Sequence, residues 1–142
     1  MANEVFIDTS YAIALSVDSD RHHRFALEWV RRFDQSNVSF MTTPAVLLEI
    51  GDSLARGRHR RTAEKVIAEL EADPNVEVVP LDDLLFARAF HLYQDRSDKE
   101  WGLTDCLSFV VMADRGLTAA LAADRHFEQA GFTALLLDET TA

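Results

Sequence analysis

The chain has 142 residues, of which 48% are hydrophobic, and its 24 acidic and 14 basic side chains give a formal net charge of −10. The length suits one domain with a real core, and no apolar run is long enough to cross a bilayer. So acidic a chain cannot hold nucleic acid by bulk electrostatics, although an enzyme can still meet a phosphate backbone at one local site. We therefore expect residues 1–142 to form a single domain.

The predicted elements alternate between short buried strands and amphipathic helices. In chain order they are a strand at 4–8, a helix at 24–33, a strand at 38–43, helices at 44–55 and 61–70, a strand at 76–79, helices at 82–93 and 103–116, and strands at 118–122 and 133–137. Pro44 suits a first helical turn after a Thr43 cap, and Gly116 suits a C-terminal cap. The alternation predicts an α/β fold with a parallel sheet and helices on both faces.

Compartment signals favour the cytoplasm. The first residues, MANEVFIDTS, lack the basic region and apolar stretch of a secretory signal. Cys106 is the only cysteine, so no internal disulfide can form. We expect a soluble cytoplasmic protein with no membrane association.

Acidic residues collect at one edge of the predicted sheet. Ligands of parallel α/β folds bind beyond the carboxyl ends of the strands. Asp8 ends the first strand, Asp124 follows the fourth, and Asp105 lies in the first turn of the helix before that strand. Glu49 lies within an otherwise apolar helix. We expect the three aspartates to converge, with Glu49 within reach of them.

Each carboxylate also has a purely structural interpretation. Asp8 could cap a helix that starts near Ser10, and Asp105 could interact with a helix dipole. Asp124 could be a turn residue, and Glu49 could belong to a solvated stripe. Taken together, however, carboxylates at one edge repel one another, and protons or cations must relieve that repulsion. Hard oxygen ligands of this kind suit Mg2+ or Mn2+.

The chain resembles PIN domains, of the kind found in VapC-type toxins of bacterial toxin–antitoxin pairs. Four stretches carry the resemblance in the expected order: VFIDTSYAIAL, TTPAVLLEIGDSL, DKEWGLTDCLSFVVM and ALAADRHFEQAGF. A D-T-S after a strand is common by itself, but the four together are a specific signal that covers nearly the whole chain. The resemblance implies a three-layer α/β/α sandwich with a central parallel sheet, and a metal-dependent endoribonuclease with an acidic pocket.

The resemblance also implies roles for individual residues. Asp8 and Asp105 match the carboxylates that hold the catalytic Mg2+ or Mn2+ most directly. Glu49 and Asp124 match two further acidic positions, which often act through bound water. Ser10 matches a small hydroxyl residue that supports the first aspartate.

Three other positions bear on this site. Thr104, beside Asp105, is a second candidate for a supporting role. PIN domains often have Thr two residues before the last aspartate, where this chain has Ala122, so we expect weaker support of Asp124. Asp98, in DKEW, recurs in relatives with this signature, and the sequence leaves open whether it reaches the pocket or orders its loop.

The implied reaction is hydrolysis of RNA that leaves a 5′ phosphate and a 3′ hydroxyl. A divalent ion would polarise a phosphoryl oxygen and lower the pKa of an attacking water. The family further implies a homodimer and a small inhibitory antitoxin, as in type II toxin–antitoxin pairs. The number of metal ions and the RNA target stay open.

Contact with RNA requires a local basic region in so acidic a chain. The best candidate is ARGRHRR, residues 55–61, which contains Arg56, Arg58, Arg60 and Arg61. Its alternative interpretations are a solvated loop between helices and a contact with an acidic partner. Residues 21–24, RHHR, are a weaker candidate.

Other conspicuous side chains have ordinary interpretations. We expect Cys106 to be an inert core residue, and Trp29 and Trp101 to lie in the core or an interface. His126 is expected to be a loop residue packed near the site, since imidazole ligation does not suit an oxygen-rich set.

This chain lacks the residues that three other classes of α/β protein require. A haloacid-dehalogenase phosphatase needs a second Asp where Ser10 lies, and a response-regulator receiver needs a Lys that ALAADRH lacks. A dinucleotide-binding domain needs a Gly-rich turn after the first strand. The alternative that stays open is a catalytically weak PIN-like protein that binds RNA or a partner as a regulator, although the four carboxylates favour an enzyme.

Overall fold

A computed structural model describes residues 4–137, which form one parallel sheet covered by helices on both faces. The strands are β1 (Glu4–Ile7), β2 (Ser39–Thr42), β3 (Val76–Val78), β4 (Ala119–Leu121) and β5 (Thr133–Ala134). The helices are α1 (Thr9–Ser16), α2 (His23–Asp34), α3 (Pro44–Ser53), α4 (His59–Ala72), α5 (Asp83–Asp95), α6 (Leu103–Arg115) and α7 (Arg125–Gln129). The predicted α/β/α sandwich with a central parallel sheet is confirmed.

Two helices and one strand differ from the prediction. The sequence indicates α1 only through Asp8 as a possible cap, and it gives Asp124 as a possible turn residue before a short helix. The reason is that α1 is apolar on most sides and α7 has only 5 residues. β5 is shorter than the strand predicted at 133–137, since only Thr133 and Ala134 pair with β4. Beyond β5 the chain turns, and the Leu136 amide donates a hydrogen bond to the Ala122 carbonyl.

The order of the strands, β3-β2-β1-β4-β5, places the site. The chain builds one half of the sheet outward from β1 and then returns to add β4 on the other side, so the topology switches between β1 and β4. Ile7 pairs with Leu121 at the ends of these two strands, and the Asp8 amide donates to the Leu121 carbonyl at 3.1 Å. The segments that follow β1 and β4 therefore lie side by side, where parallel α/β folds bind their ligands.

The core beneath this edge is aromatic. Phe109 on α6 packs edge-on against Trp101 and against Phe127, with ring centroids 5.0 Å apart in both pairs. Phe127 continues the cluster to Phe6 on β1 at 6.5 Å. The cluster fixes α6 and α7 against the end of β1. Cys106 is buried beside it, and burial raises the pKa of its thiol, as expected of an inert core residue.

Trp29 lies on the opposite face of the sheet. Its indole N–H donates to the Leu135 carbonyl at 3.3 Å, and its ring stacks on Phe33 at 5.2 Å.

Within residues 4–137, no helix combines the length and the apolar character that a membrane span requires.

Gly116 ends α6 in the left-handed conformation, with φ of 70°, as predicted for a C-terminal cap. Gly116→Ala is therefore expected to cost about 1–2 kcal/mol of unfolding free energy, because an L side chain is strained there. Gly51 is the matched control, because it lies inside α3, where an added Cβ would make an ordinary contact of 3.7 Å with Ile67. Urea unfolding of both variants checks this, and equal losses of stability would contradict it.

Candidate active site

Asp8 begins the site as the N-terminal cap of α1. Its Oδ2 accepts hydrogen bonds from the Ser10 amide at 3.2 Å and from the Ser10 hydroxyl at 2.6 Å. The same hydroxyl accepts from the Ala123 amide at 2.9 Å. Ser10 thus ties the end of β1 to the segment after β4. Asp8 is only 5% exposed.

The electrostatic environment of Asp8 disfavours its ionised form. The pKa of Asp8 is raised from 3.8 to about 7. Burial is the largest cause, the hydrogen bonds from Ser10 oppose it, and the negative charges of Asp105 and Glu49 add to the rise. A desolvated carboxylate near two others needs a proton or a cation. This is the condition under which a carboxylate binds a divalent ion in exchange for its proton.

Glu49 reaches the same place from α3. Its Oε1 accepts a hydrogen bond of 2.7 Å from the hydroxyl of Thr9, the residue directly after Asp8. Thr9 is buried, so this bond fixes the Glu49 carboxylate beside Asp8. The sequence reasoning missed Thr9, although it stands in the D-T-S motif, because its partner lies 40 residues away along the chain.

Asp105 and Asp124 meet around His126. The Asp105 Oδ2 accepts from the Gly102 amide at 3.1 Å and lies 3.0 Å from the His126 Nδ1. The Asp124 Oδ1 caps α7 by accepting from the His126 amide at 2.9 Å, and it lies 3.3 Å from the His126 Nδ1. One ligand atom from each of the three residues lies within 4.8 Å of the other two.

One expectation needs correction here. His126 lies in α7, and not in a loop, because Asp124 caps that helix. The structure brings Asp105, Asp124 and His126 together, and Asp8 lies close enough to Asp105 and Glu49 for their charges to act on it. Burial raises the pKa of Asp105, and the Asp124 charge adds to this rise, while the Gly102 amide and His126 oppose it.

Thr104, Ala122 and Asp98 lie outside this group. Thr104 lines an apolar groove with Leu81 and Phe86, and among residues 4–137 its hydroxyl makes no hydrogen bond to a site carboxylate. Ala122 is buried, and Asp124 takes its support from His126.

Asp98 orders the loop before α6. Its carboxylate pairs with Arg96 at 3.0 and 3.2 Å, and the Arg96 guanidinium lies over the Trp101 ring, 4.9 Å from its centroid. Through Arg96, Asp98 therefore contacts the aromatic cluster that supports α6.

The four arginines of residues 55–61 are exposed. Arg56 and Arg58 lie between α3 and α4, and Arg60 and Arg61 lie in the first turn of α4. None of them forms an ion pair with any residue from 4 to 137. Cations at a helix N-terminus oppose the helix dipole, so the helix does not benefit from them. Arg58 lines a shallow surface pocket with Ser16 and Asp18, beside the end of α1.

The donor set suits a divalent metal. Carboxylate oxygens are available from Asp8, Glu49, Asp105 and Asp124, and the His126 ring lies beside those of Asp105 and Asp124. Oxygen-rich sets of this kind take Mg2+ or Mn2+. The pKa values of Asp8 and Asp105 are raised because negative charge is unfavourable at these positions. A divalent ion bound there would neutralise that charge.

Comparison with known proteins gives a consistent result. The family model of the PIN domain matches residues 5–133. The chain is 31% identical over 129 residues to the 23S rRNA-specific endonuclease VapC20 of two Mycobacterium tuberculosis strains, covering 90% of this chain and 95% of the relative. The crystal structure of M. tuberculosis VapC20, a sarcin–ricin loop cleaving toxin, matches with a TM-score of 0.81 and 28% identity, over 92% of this chain and 97% of the other.

Proposed function

The chain belongs to the PIN-domain family, and on that premise we propose that it is an endoribonuclease that depends on Mg2+ or Mn2+ and is the toxin of a type II toxin–antitoxin pair. The observation that carries the proposal is the group of carboxylates where β1 and β4 end, with Asp8 buried and Asp105 and Asp124 in contact with one imidazole. A purely structural role does not explain why carboxylates that repel one another are held together. An enzyme that binds a divalent ion requires such a group of carboxylates.

We propose RNA as the substrate, and 23S rRNA as the first RNA to test. The relative VapC20 is named for its specificity for 23S rRNA, and its structure is described as that of a sarcin–ricin loop cleaving toxin. We propose that it acts in the cytoplasm, where its RNA substrate would be found. Incubating 23S rRNA fragments with Mg2+, with Mn2+ and with EDTA tests the proposal, and ligation-dependent sequencing of the products tests for the expected 5′ phosphate.

The reaction needs few groups from the protein. When bound, the divalent ion would polarise the scissile phosphate and lower the pKa of the attacking water. Asp8, Asp105 and Asp124 are the residues we assign to hold it. Glu49, fixed by the Thr9 hydroxyl at 2.7 Å, is placed to orient a water and accept its proton.

The exposed arginines are the proposed contact with the RNA backbone. Replacing Arg58 and Arg61 together by Gln is expected to raise KM several-fold with little change in kcat, because phosphate contacts position the substrate and do not take part in the chemistry. The dependence of log KM on log salt concentration should become shallower by about one for each phosphate that is no longer neutralised. Arg31→Gln, in the exposed last turn of α2, is the matched control, and equal effects of both changes would contradict the assignment.

We also propose a homodimer with α5 in its interface. Phe86, Phe90 and Tyr93 stack along one exposed side of α5, with centroids 6.4 and 6.3 Å apart. Leu84 beside them is 70% exposed. Contiguous apolar surface of this kind marks protein contacts. Phe90→Ser is expected to convert the dimer to a monomer in light scattering, and an unchanged mass would contradict this interface.

A cognate antitoxin is the second proposed partner. An active ribonuclease without its inhibitor would degrade RNA in the cell that makes it. Expression of the chain alone is therefore expected to arrest bacterial growth, and expression of the Asp105→Asn variant is not. Equal growth arrest by both would point to toxicity unrelated to cleavage.

A further inference from the structure

His126 makes more contacts with the acidic group than any role in the helix requires. Its backbone amide donates to the Asp124 Oδ1 at 2.9 Å, which already completes the cap of α7. Its ring adds two further contacts, from Nδ1 to the Asp105 Oδ2 at 3.0 Å and to the Asp124 Oδ1 at 3.3 Å. The ring thus joins α6 to the start of α7 through two carboxylates that repel each other.

The chemistry of the partners fixes the role of Nδ1. Carboxylate oxygens only accept hydrogen bonds when ionised, so a bare Nδ1 would face two acceptors. Nδ1 must therefore carry the hydrogen, which it donates to the Asp105 Oδ2 while lying 3.3 Å from the Asp124 Oδ1. A nitrogen engaged in this way has no lone pair to offer a metal.

The carboxylate oxygens of Asp105 and Asp124 then divide into two kinds. The Asp105 Oδ2 accepts from both the Gly102 amide and the His126 Nδ1, and the Asp124 Oδ1 accepts from the His126 amide. Among residues 4–137, the Asp105 Oδ1 and the Asp124 Oδ2 have no hydrogen-bond donor. One oxygen of each carboxylate is thus held by protein, and the other is left for a cation.

We propose that His126 is a positioning residue whose ring donates Nδ1–H to Asp105 and holds Asp124 beside it, and so presents one free oxygen of each to the divalent ion. This rests on the proposed function, since it concerns the same ion. Groups that hold metal-ligating carboxylates typically contribute 10- to 100-fold to metal affinity. His126 acts on affinity through the two aspartates and makes no contact with the ion itself.

The test compares two replacements of His126 in the full chain by titration with Mn2+ at one fixed pH. Asn carries an amide nitrogen where histidine has Nδ1, so His126→Asn keeps the donor and is expected to bind Mn2+ within about threefold of wild type. His126→Ala removes the donor and is expected to lose about 10- to 100-fold in affinity. His91→Ala is the control, because the His91 ring is exposed on α5 and lies 3.3 Å from Asp95, a residue outside the site.

Each other outcome has a definite meaning. If His126→Ala binds Mn2+ as tightly as wild type, the proposal is wrong. If His126→Asn loses as much affinity as His126→Ala, the ring is a ligand and not a hydrogen-bond donor, which also overturns it. Thermal unfolding in EDTA shows whether a variant has lost its fold. If His126→Ala is unfolded, the Mn2+ affinity of His126→Asn is the result that tests the proposal.

Failure of the proposed function would look different. Wild type that binds Mn2+ but cuts no RNA would contradict the ribonuclease while leaving the comparison of the two variants intact. Wild type that binds no Mn2+ would overturn both proposals. If the wild type cleaves RNA and His126→Ala binds Mn2+ as tightly as wild type, this inference alone is wrong.

Discussion

Asp8→Asn is expected to abolish RNA cleavage and to make the metal-free protein more stable at pH 8. Asp8 is buried, and its pKa is raised to about 7, so its ionisation at pH 8 opposes folding. Replacing it by a neutral side chain of the same shape should recover up to roughly 4 kcal/mol of unfolding free energy. Cleavage should fall by about 10^2- to 10^4-fold, because several kcal/mol of transition-state stabilisation depend on the ion that Asp8 helps to hold.

Urea unfolding in EDTA and a single-turnover cleavage assay measure the two effects on the same preparations. Asp52→Asn is the control, since Asp52 is exposed in α3 and makes no hydrogen bond or ion pair within residues 4–137. It should change neither quantity. A less stable Asp8→Asn protein at pH 8, or one that still cleaves at the rate of wild type, would contradict the role of Asp8.

Stability of the metal-free protein is expected to fall as pH rises from about 4 to about 7. The folded-state pKa of Asp8, about 7, lies above its ordinary value of 3.8, so the folded chain retains a proton that the unfolded chain releases. The contribution of Asp8 is therefore present at low pH, is lost across this window and stays constant above it. Because other groups also titrate, the quantity to compare is the difference between wild type and Asp8→Asn, which should grow from pH 5 to pH 8.

Mg2+ should reverse this loss at high pH, because it binds the ionised site. At 100 times its Kd an ion that binds only the folded state adds about 2.7 kcal/mol. We expect a gain of that order at pH 8 and a much smaller gain at pH 5, where protons compete for Asp8. Thermal unfolding with and without Mg2+ at both pH values tests this, and an equal gain at both would show that the ion does not compete with protons at Asp8.

Position along the chain was enough to place the aspartates. Asp8 and Asp124 follow two strands that proved to be neighbours, and Asp105 begins the helix between them in sequence. The structural and functional interpretations of these residues are not alternatives, because Asp8 caps α1 and Asp124 caps α7 while both face the acidic group. A cap places its carboxylate at a helix N-terminus, which in this topology lies at the carboxyl edge of the sheet.

The contacts that orient the carboxylates could not be predicted from the sequence. The bond from Thr9 to Glu49 joins residues on different helices, and it depends on how α3 packs against α1. The role of His126 depends on the direction of its ring, two residues after a cap in a helix of only 5 residues. Neither α1 nor α7 has the apolar period that identifies a helix, so their side chains could not be assigned to a face.

The most direct test is cleavage of a labelled sarcin–ricin loop fragment of 23S rRNA, beside tRNA and mRNA, by wild type and Asp105→Asn with Mg2+, with Mn2+ and with EDTA. We predict cleavage by wild type that requires the metal, leaves 5′ phosphate ends and is lost in the variant. Cleavage that persists in EDTA and in Asp105→Asn, with products ending in a 2′,3′-cyclic phosphate, would contradict a metal-dependent ribonuclease built on these carboxylates.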